Sequence, residues 1–165
     1  MKLYNVAADN ECLFNAIAFG VIANKKSVNV AKLKYKDLAR KLRSITSSIY
    51  SEKLSKNSKY IEKLSNEYVI LHDIRSDVSK DKQIEFANKY IKEIKQKNTW
   101  GGHLEIIVLG EYLHRLGFKG IKVFDEKLNV VKGFHSKFKN KNKYPHIKLI
   151  LTGISIGGCH FNYLH

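Results

Sequence analysis

The sequence predicts an α+β fold, with helices packed around a small, mostly antiparallel β-sheet. Hydrophobic residues recur with a helical period up to residue 116, and the pattern then changes to short alternating runs typical of strands. The 165 residues, 44% of them hydrophobic, suffice to bury one core. We therefore expect a single domain over residues 1–165, in a form compatible with excision from a longer protein.

Five helices are expected in the first two thirds of the chain. The first begins near Cys12, because apolar residues follow it at the i, i+3, i+4 spacing of a helix. Three more show the same spacing, and their marker residues are Leu38, Leu42, Ile45 and Ile49, then Ile61, Leu64, Tyr68 and Leu71, then Ile84, Ala87, Ile91 and Ile94. The fifth, over 104–116, is apolar on most sides, which is typical of a central helix. The polar stretches 51–59 and 76–82 are expected to be loops.

Two hairpins are expected in the last third. Their strand segments are 121–123 with 128–131, and 147–152 with 159–164. Each pair flanks a turn, and the second turn contains the glycines that favour such a connection. Since alternate residues of a strand share a face, Cys159 is expected to point into the core, away from Cys12.

The chain is strongly basic, with 30 Lys and Arg against 15 Asp and Glu and a formal net charge of +15. Such a field attracts nucleic acid or an anionic membrane surface, so a basic binding module is one interpretation. The other is a coding bias towards Lys and Asn that produces a solvated basic face. Because the sequence has no RNP-like aromatic motif and no zinc-ligand spacing, we expect no specific nucleic-acid binding.

Several further properties follow from composition. No stretch approaches the roughly 20 apolar residues of a membrane helix, so we expect no transmembrane segment. The two cysteines, Cys12 and Cys159, make neither a disulfide framework nor a metal cluster. We therefore expect an intracellular, reducing compartment. We also expect the protein to be a monomer. A composition rich in Lys and Asn is compatible with an AT-rich bacterial or viral genome, and hence with an effector in the cytosol of a host cell.

Cys12 is a candidate nucleophile because it stands at a predicted helix N-terminus. The positive end of the helix dipole favours the thiolate there. The preceding turn, formed by Asp9, Asn10 and Glu11, directs backbone N–H groups into one region, where they could stabilise an oxyanion. The alternative is structural, with Cys12 as a small buried hydrophobe at a helix end and Asp9 as a helix cap.

His160 and Asn162 are candidates for the rest of a catalytic triad. They share one strand face, about 6.5–7 Å apart along the backbone. Asn162 could accept a hydrogen bond from one ring nitrogen of His160 and leave the other nitrogen facing Cys12. This is the nucleophile, base and orienting group of a cysteine protease. The alternative is a structural histidine on a strand.

Three motifs resemble those of the ovarian-tumour (OTU) family of deubiquitinating cysteine proteases. Residues 9–14, DNECLF, resemble its Asp-Gly-Asn-Cys-Leu-Phe nucleophile motif. Residues 100–105, WGGHLE, resemble its Trp-Gly-Gly-x-x-Glu helix entry, and residues 160–164, HFNYL, its terminal His-Tyr-Asn-x-Leu strand. The three occur in the family's order and span nearly the whole chain, so we expect the papain-related OTU fold.

The resemblance implies a role for each site residue. Cys12 would be the nucleophile, His160 the general base, Asn162 the residue that orients it, and Asp9 a support of the oxyanion loop. The implied reaction is hydrolysis of isopeptide bonds made by ubiquitin, with ubiquitin, polyubiquitin chains or ubiquitin-like modifiers as partners. No metal or organic cofactor is implied.

The sequence departs from the nucleophile motif at two positions. Asn10 replaces Gly and Glu11 replaces Asn, and a Glu11 carboxylate close to Cys12 would disfavour the thiolate. A ubiquitin-binding pseudoenzyme on the same fold is therefore an alternative. A papain-type protease has the same order of Cys and His, but its Asn lies further downstream of the His. Only five residues follow His160 in this sequence, so a papain-type protease is disfavoured.

Overall fold

The computed structural model describes residues 2–7, 9–75, 77–97, 99–131, 142–153 and 160–165. Five helices and four strands lie within them: β1 Leu3–Tyr4, α1 Cys12–Lys25, α2 Val28–Lys56, α3 Lys59–Leu71, α4 Lys80–Ile94, α5 His103–Arg115, β2 Ile121–Phe124, β3 Ile147–Thr152 and β4 His160–Leu164. The predicted α+β class is confirmed. Among the described residues, no helix combines the length and the apolar character that crossing a membrane requires.

The chain divides into two compact units. One consists of residues 1–42 and 100–165, and it contains the whole sheet, α1 and α5; the other is Arg43–Thr99. Within the second unit α3 packs against α4, and the buried Arg43 donates hydrogen bonds to the carbonyl oxygens of Ile94 at 3.1 Å and Lys97 at 3.3 Å. A cation at the negative end of α4 is favourable. The expectation of one domain over residues 1–165 stays a prediction.

The described strands form one sheet in the order β1-β4-β3-β2. β1 pairs with β4 and β4 with β3 in antiparallel fashion, whereas β2 and β3 are parallel. The sheet is therefore mixed, and the prediction of a mostly antiparallel sheet is wrong in this respect. Residues 125–146 separate β2 from β3, and a connection of this length can return the chain to the starting edge, as parallel pairing requires.

The first predicted hairpin is only partly formed. After the turn, Val131 donates to the carbonyl of Val123 at 2.9 Å, and Phe124 forms a single bridge with Val130. The returning segment is thus not a full strand, and β2 makes its ladder with β3 instead. The second hairpin is present as β3 and β4, while its connection, 154–159 with Cys159, lies outside the described residues.

The strand β1 is absent from the sequence prediction because two residues are too few to show an alternating pattern. It pairs with β4 through Leu3 opposite Leu164 and Tyr4 opposite Tyr163. Beyond this ladder, Lys2 donates to the carbonyl of His165 at 3.0 Å and His165 donates back to Lys2 at 2.9 Å. The first and last described residues therefore lie side by side.

The predicted loop at 51–59 is wrong over its first part, because α2 continues to Lys56. Serine hydroxyls on this helix bond to its own backbone: Ser48 donates to Ser44 at 3.0 Å, and Ser51 to Ser47 at 3.1 Å. Such bonds satisfy the hydroxyl groups without ending the helix. Polar composition alone is therefore a poor signal of a loop here. The predicted loop at 76–82 is also too long, because α4 begins at Lys80.

α1 packs tightly against the sheet and carries the candidate nucleophile at its first position. It is buried on nearly every side, with Phe14, Ile17 and Ala18 fully inaccessible. At Gly20, an added Cβ would lie 2.8 Å from side-chain carbons of both Ile147 on β3 and Tyr163 on β4. The glycine therefore permits a close approach of α1 to β3 and β4.

Candidate active site

The loop before α1 is a tight turn held by Asp9. The Cys12 amide donates to the Asp9 carbonyl at 3.0 Å, and the Glu11 amide donates to the Asp9 carboxylate at 3.0 Å. Glu11 is the N-cap residue of α1, with no side-chain capping bond. Asp9 is thus not the helix cap of the structural alternative. Its carboxylate instead folds the turn that leads into Cys12.

The Cys12 side chain is buried, with 4% of the residue exposed. Burial is the largest influence on its thiol and raises the pKa. Hydrogen bonds from the backbone N–H groups of Phe161 and Leu13 lower the pKa, and the charge of the Asp9 carboxylate raises it. The net effect is a raised pKa. The amides at the start of α1, those of Cys12 and Leu13, do act in favour of the thiolate, but desolvation of the buried thiol outweighs them.

The carboxylate that disfavours the Cys12 thiolate is that of Asp9, although the sequence pointed to Glu11. Glu11 is itself buried, with 8% exposed, as the residue that begins the helix. Asp9 lies on the solvent side of the turn. Its position follows from the bond that it makes to the Glu11 amide, so the same carboxylate shapes the turn and acts on the thiol.

His160 and Asn162 are bonded to one another on β4. The Nε2 atom of His160 lies 3.0 Å from the Oδ1 atom of Asn162. The same Oδ1 atom accepts a hydrogen bond of 3.0 Å from the backbone amide of Val6. Because a backbone N–H can only donate, the amide atom at this point must be the oxygen, and His160 must then carry its proton on Nε2. In the neutral ring, Nδ1 is consequently the basic nitrogen.

Cys12 lies near the residue that follows His160, because the backbone N–H of Phe161 lowers the pKa of the Cys12 thiol. The helix that begins at Cys12 also packs against β4, the strand that carries His160 and Asn162. Asn162 is buried and His160 partly exposed. The roles of the Val6 amide at Asn162 and of the Phe161 amide at Cys12 could not be predicted from the sequence. Almost every residue has a backbone N–H group, so the residue type does not indicate which of these groups will act in a site.

The motif WGGHLE contacts both the same loop and the first turn of α1. An added Cβ on Gly101 would lie 2.8 Å from side-chain carbons of Leu13 and Phe14, in the first turn of α1. The Gly102 amide donates to the Glu105 carboxylate at 2.6 Å, which caps the start of α5. The indole of Trp100 donates to Oδ1 of Asn10 and is 43% exposed.

These two glycines give a matched pair of variants. Gly101→Ala is expected to destabilise the protein by about 1–3 kcal/mol, because the new methyl group must displace buried side chains of α1. Gly102→Ala is expected to cost less than about 1 kcal/mol, since its nearest neighbour, the Glu105 carboxylate, would be 3.9 Å away. Chemical denaturation of both variants measures the difference. Equal losses would refute the close approach at Gly101.

The family of this chain follows from a match to a family model. The model of OTU-like cysteine proteases matches residues 7–152. The chain belongs to this family. No match to a curated protein was found. The family match includes the loop before Cys12 and the Trp100 motif but ends before β4. The assignment of His160 and Asn162 to the site therefore rests on their mutual bond and on the effect of the neighbouring Phe161 amide on the Cys12 thiol.

Membership of the OTU-like cysteine proteases identifies a family of thiol hydrolases. Within the described ranges, no cluster of three His, Cys, Asp or Glu side chains is arranged to hold a metal ion.

Asn162 offers a graded test of the site. Asn162→Ala is expected to lower activity by roughly 10- to 100-fold, less than loss of His160, because packing on β4 retains part of the imidazole orientation. Asn162→Asp is the matched control, since a carboxylate oxygen can still accept from both the Val6 amide and His160 Nε2. The rates of both variants give the comparison. Equal rates for the two would argue that the acceptor oxygen is irrelevant.

Proposed function

We propose that this protein is a thiol-dependent isopeptidase that hydrolyses bonds made by ubiquitin, with Cys12 as nucleophile and His160 as general base. The observation that carries the proposal is the arrangement on β4. There, His160 is bonded through Nε2 to Asn162, and the backbone N–H of the next residue, Phe161, lowers the pKa of the Cys12 thiol. This arrangement leaves Nδ1 of His160 as the basic atom and supports a nucleophile–base pair.

The first half of the reaction transfers the acyl group to the enzyme. The Cys12 thiol gives its proton to Nδ1 of His160, and the sulfur attacks the carbonyl carbon between the ubiquitin C-terminal glycine and the lysine. Backbone N–H groups at the start of α1 stabilise the oxyanion. As the C–N bond breaks, the imidazolium donates its proton to the leaving lysine amine, and a thioester on Cys12 remains.

The second half regenerates the enzyme. His160 accepts a proton from water, and the resulting hydroxide attacks the thioester carbonyl. The C–S bond then breaks, and the His160 imidazolium returns its proton to the sulfur. The ubiquitin C-terminus leaves as a carboxylic acid, which loses its proton to water. Asn162 keeps the ring in one orientation through both halves, because its oxygen is itself held by the Val6 amide.

The raised pKa of the Cys12 thiol favours a general-base step over a preformed ion pair. A thiol whose pKa is raised by burial is protonated at neutral pH, so it becomes a strong nucleophile only when a neighbouring base removes the proton. His160 fits this role because its basic nitrogen is the one not bonded to Asn162. Loss of His160 should therefore slow the proposed reaction more than it would slow a reaction that begins from a stable thiolate.

The proposed partners are ubiquitin, polyubiquitin chains or related modifiers, bound by a monomer in a reducing intracellular compartment. The family supports this substrate class, and a free cysteine nucleophile requires reducing conditions. Incubation with the full panel of diubiquitin linkages tests the substrate, with Cys12→Ala as the control. Failure to cleave any linkage, together with cleavage of another modifier, would move the proposal to a ubiquitin-like substrate.

A ubiquitin-binding pseudoenzyme is the second candidate. The raised pKa of Cys12 and the replacements at Asn10 and Glu11 favour it, since all three bear on the reactivity of the thiol. A ubiquitin propargylamide probe separates the two proposals. Covalent capture that depends on Cys12 supports the enzyme, whereas reversible binding of ubiquitin without capture supports the pseudoenzyme.

A further inference from the structure

One hydrogen bond of the site involves Asn10, a position at which this chain departs from the family motif. The indole Nε1–H of Trp100 donates a hydrogen bond to Oδ1 of Asn10. The nucleophile motif that residues 9–14 resemble has Gly at this position, and glycine has no side chain that could accept the bond. The contact therefore accompanies the replacement of Gly by Asn.

Both partners of this bond are tied to the loop that leads into the nucleophile. Asn10 is inside the turn closed by the bond from the Cys12 amide to the Asp9 carbonyl. Trp100 directly precedes Gly101, whose backbone packs against Leu13 and Phe14 at the start of α1. The Trp100 side chain thus bridges two segments that both contact the first turn of α1.

We propose that Trp100 is a positioning residue that fixes the loop of residues 9–12 through its bond to Asn10. A loop that presents backbone donors to an oxyanion must hold them within a few tenths of an ångström. The side chains at positions 10 and 11 differ from the motif, and the indole bond supplies a restraint that a glycine loop does not have. For its effect on turnover, this proposal rests on the function proposed above.

Because Trp100 is partly exposed, an effect of its replacement on the position of the loop can be distinguished from an effect on folding stability. With 43% of the residue exposed, replacing its donor should change the folded core little. A misplaced loop, by contrast, changes the geometry around the reacting atoms, where small displacements have large effects on rate. Trp100→Phe removes the N–H and keeps an aromatic ring, and Asn10→Ala removes the acceptor.

The test is a double-mutant cycle of Trp100→Phe and Asn10→Ala, with Gly102→Ala as a control elsewhere in the same motif. Each single change is expected to lower kcat roughly tenfold while KM and Tm stay close to those of the starting protein. The double variant should be no slower than the slower single variant, because both changes delete the same bond. Additive losses, or full kcat in Trp100→Phe, would overturn the proposal. A rise in KM alone would also overturn it, since that result describes a substrate contact.

A second measurement does not depend on the substrate. The rate at which iodoacetamide alkylates Cys12 follows the thiolate fraction, so its pH profile reports the surroundings of the sulfur. Loosening the loop admits water, and the profile of each single variant should move towards lower pH. If the starting protein hydrolyses nothing but the profiles still shift together, the proposed function fails and the positioning role stands. Unchanged profiles with normal hydrolysis would refute the positioning role alone.

Discussion

Cys12→Ala is expected to abolish hydrolysis of ubiquitin isopeptide bonds and capture by the propargylamide probe. The sulfur is the atom that would form the thioester, and an alanine has no group that could replace it. Removal of one buried sulfur should cost about 1 kcal/mol of folding stability, because Cys12 is buried at the start of α1. Cleavage assays and thermal unfolding of the same preparation separate lost chemistry from lost structure.

The matched control is Cys159→Ala, which removes the only other cysteine of the chain. The sequence predicts that Cys159 faces away from Cys12, so this variant should keep both hydrolysis and capture. Turnover by Cys12→Ala close to that of the unmodified protein would remove Cys12 from the mechanism. Loss of capture in Cys159→Ala with an intact Cys12 would contradict the assignment of the reactive thiol.

His160→Ala is expected to lower the hydrolysis rate by roughly 10²- to 10⁴-fold at neutral pH, the usual contribution of a general base. Burial raises the pKa of the Cys12 thiol. Without His160, the thiolate must form by direct ionisation, and the residual rate should therefore increase with pH and continue to increase above the range of an ordinary thiol. A pH–rate profile from neutral to alkaline conditions measures this change.

His72→Ala serves as the control for histidine replacement. Its imidazole is bonded to Glu93 at 2.8 Å within the unit of residues 43–99, and it has no part in the proposed chemistry. This variant should retain the rate and the pH dependence of the starting protein. If His160→Ala kept the neutral-pH rate, Cys12 would need another base, and the bond between His160 and Asn162 would be structural.

The sequence predicts the features that depend on local pattern. The helical spacing after Cys12 gives the start of α1, and the alternation around His160 and Asn162 gives a strand that brings both side chains to one face. These features depend on neighbours along the chain, so a single sequence carries enough information to identify them.

Features that depend on distant parts of the chain are missed. The parallel pairing of β2 with β3 joins segments separated by a long connection, and β1 is too short to have a period. The direction of the pKa shift of Cys12 depends on how much protein covers the sulfur, which the helix-end argument does not contain. The bond between Trp100 and Asn10 is missed for the same reason, because it joins residues 90 positions apart in the chain.

The two backbone bonds between Lys2 and His165 have a consequence for protein engineering. Because these residues lie side by side, a short linker can join Lys2 to His165 in a protein made of residues 2–165, and the chain can be opened in a surface connection elsewhere, giving a circular permutant. Such a permutant would keep β1 covalently beside β4, and with it the Val6 amide that holds Asn162. Trimming the first six residues instead would remove both at once. Residues 2–6 are therefore part of the framework that holds Asn162 and, through it, His160.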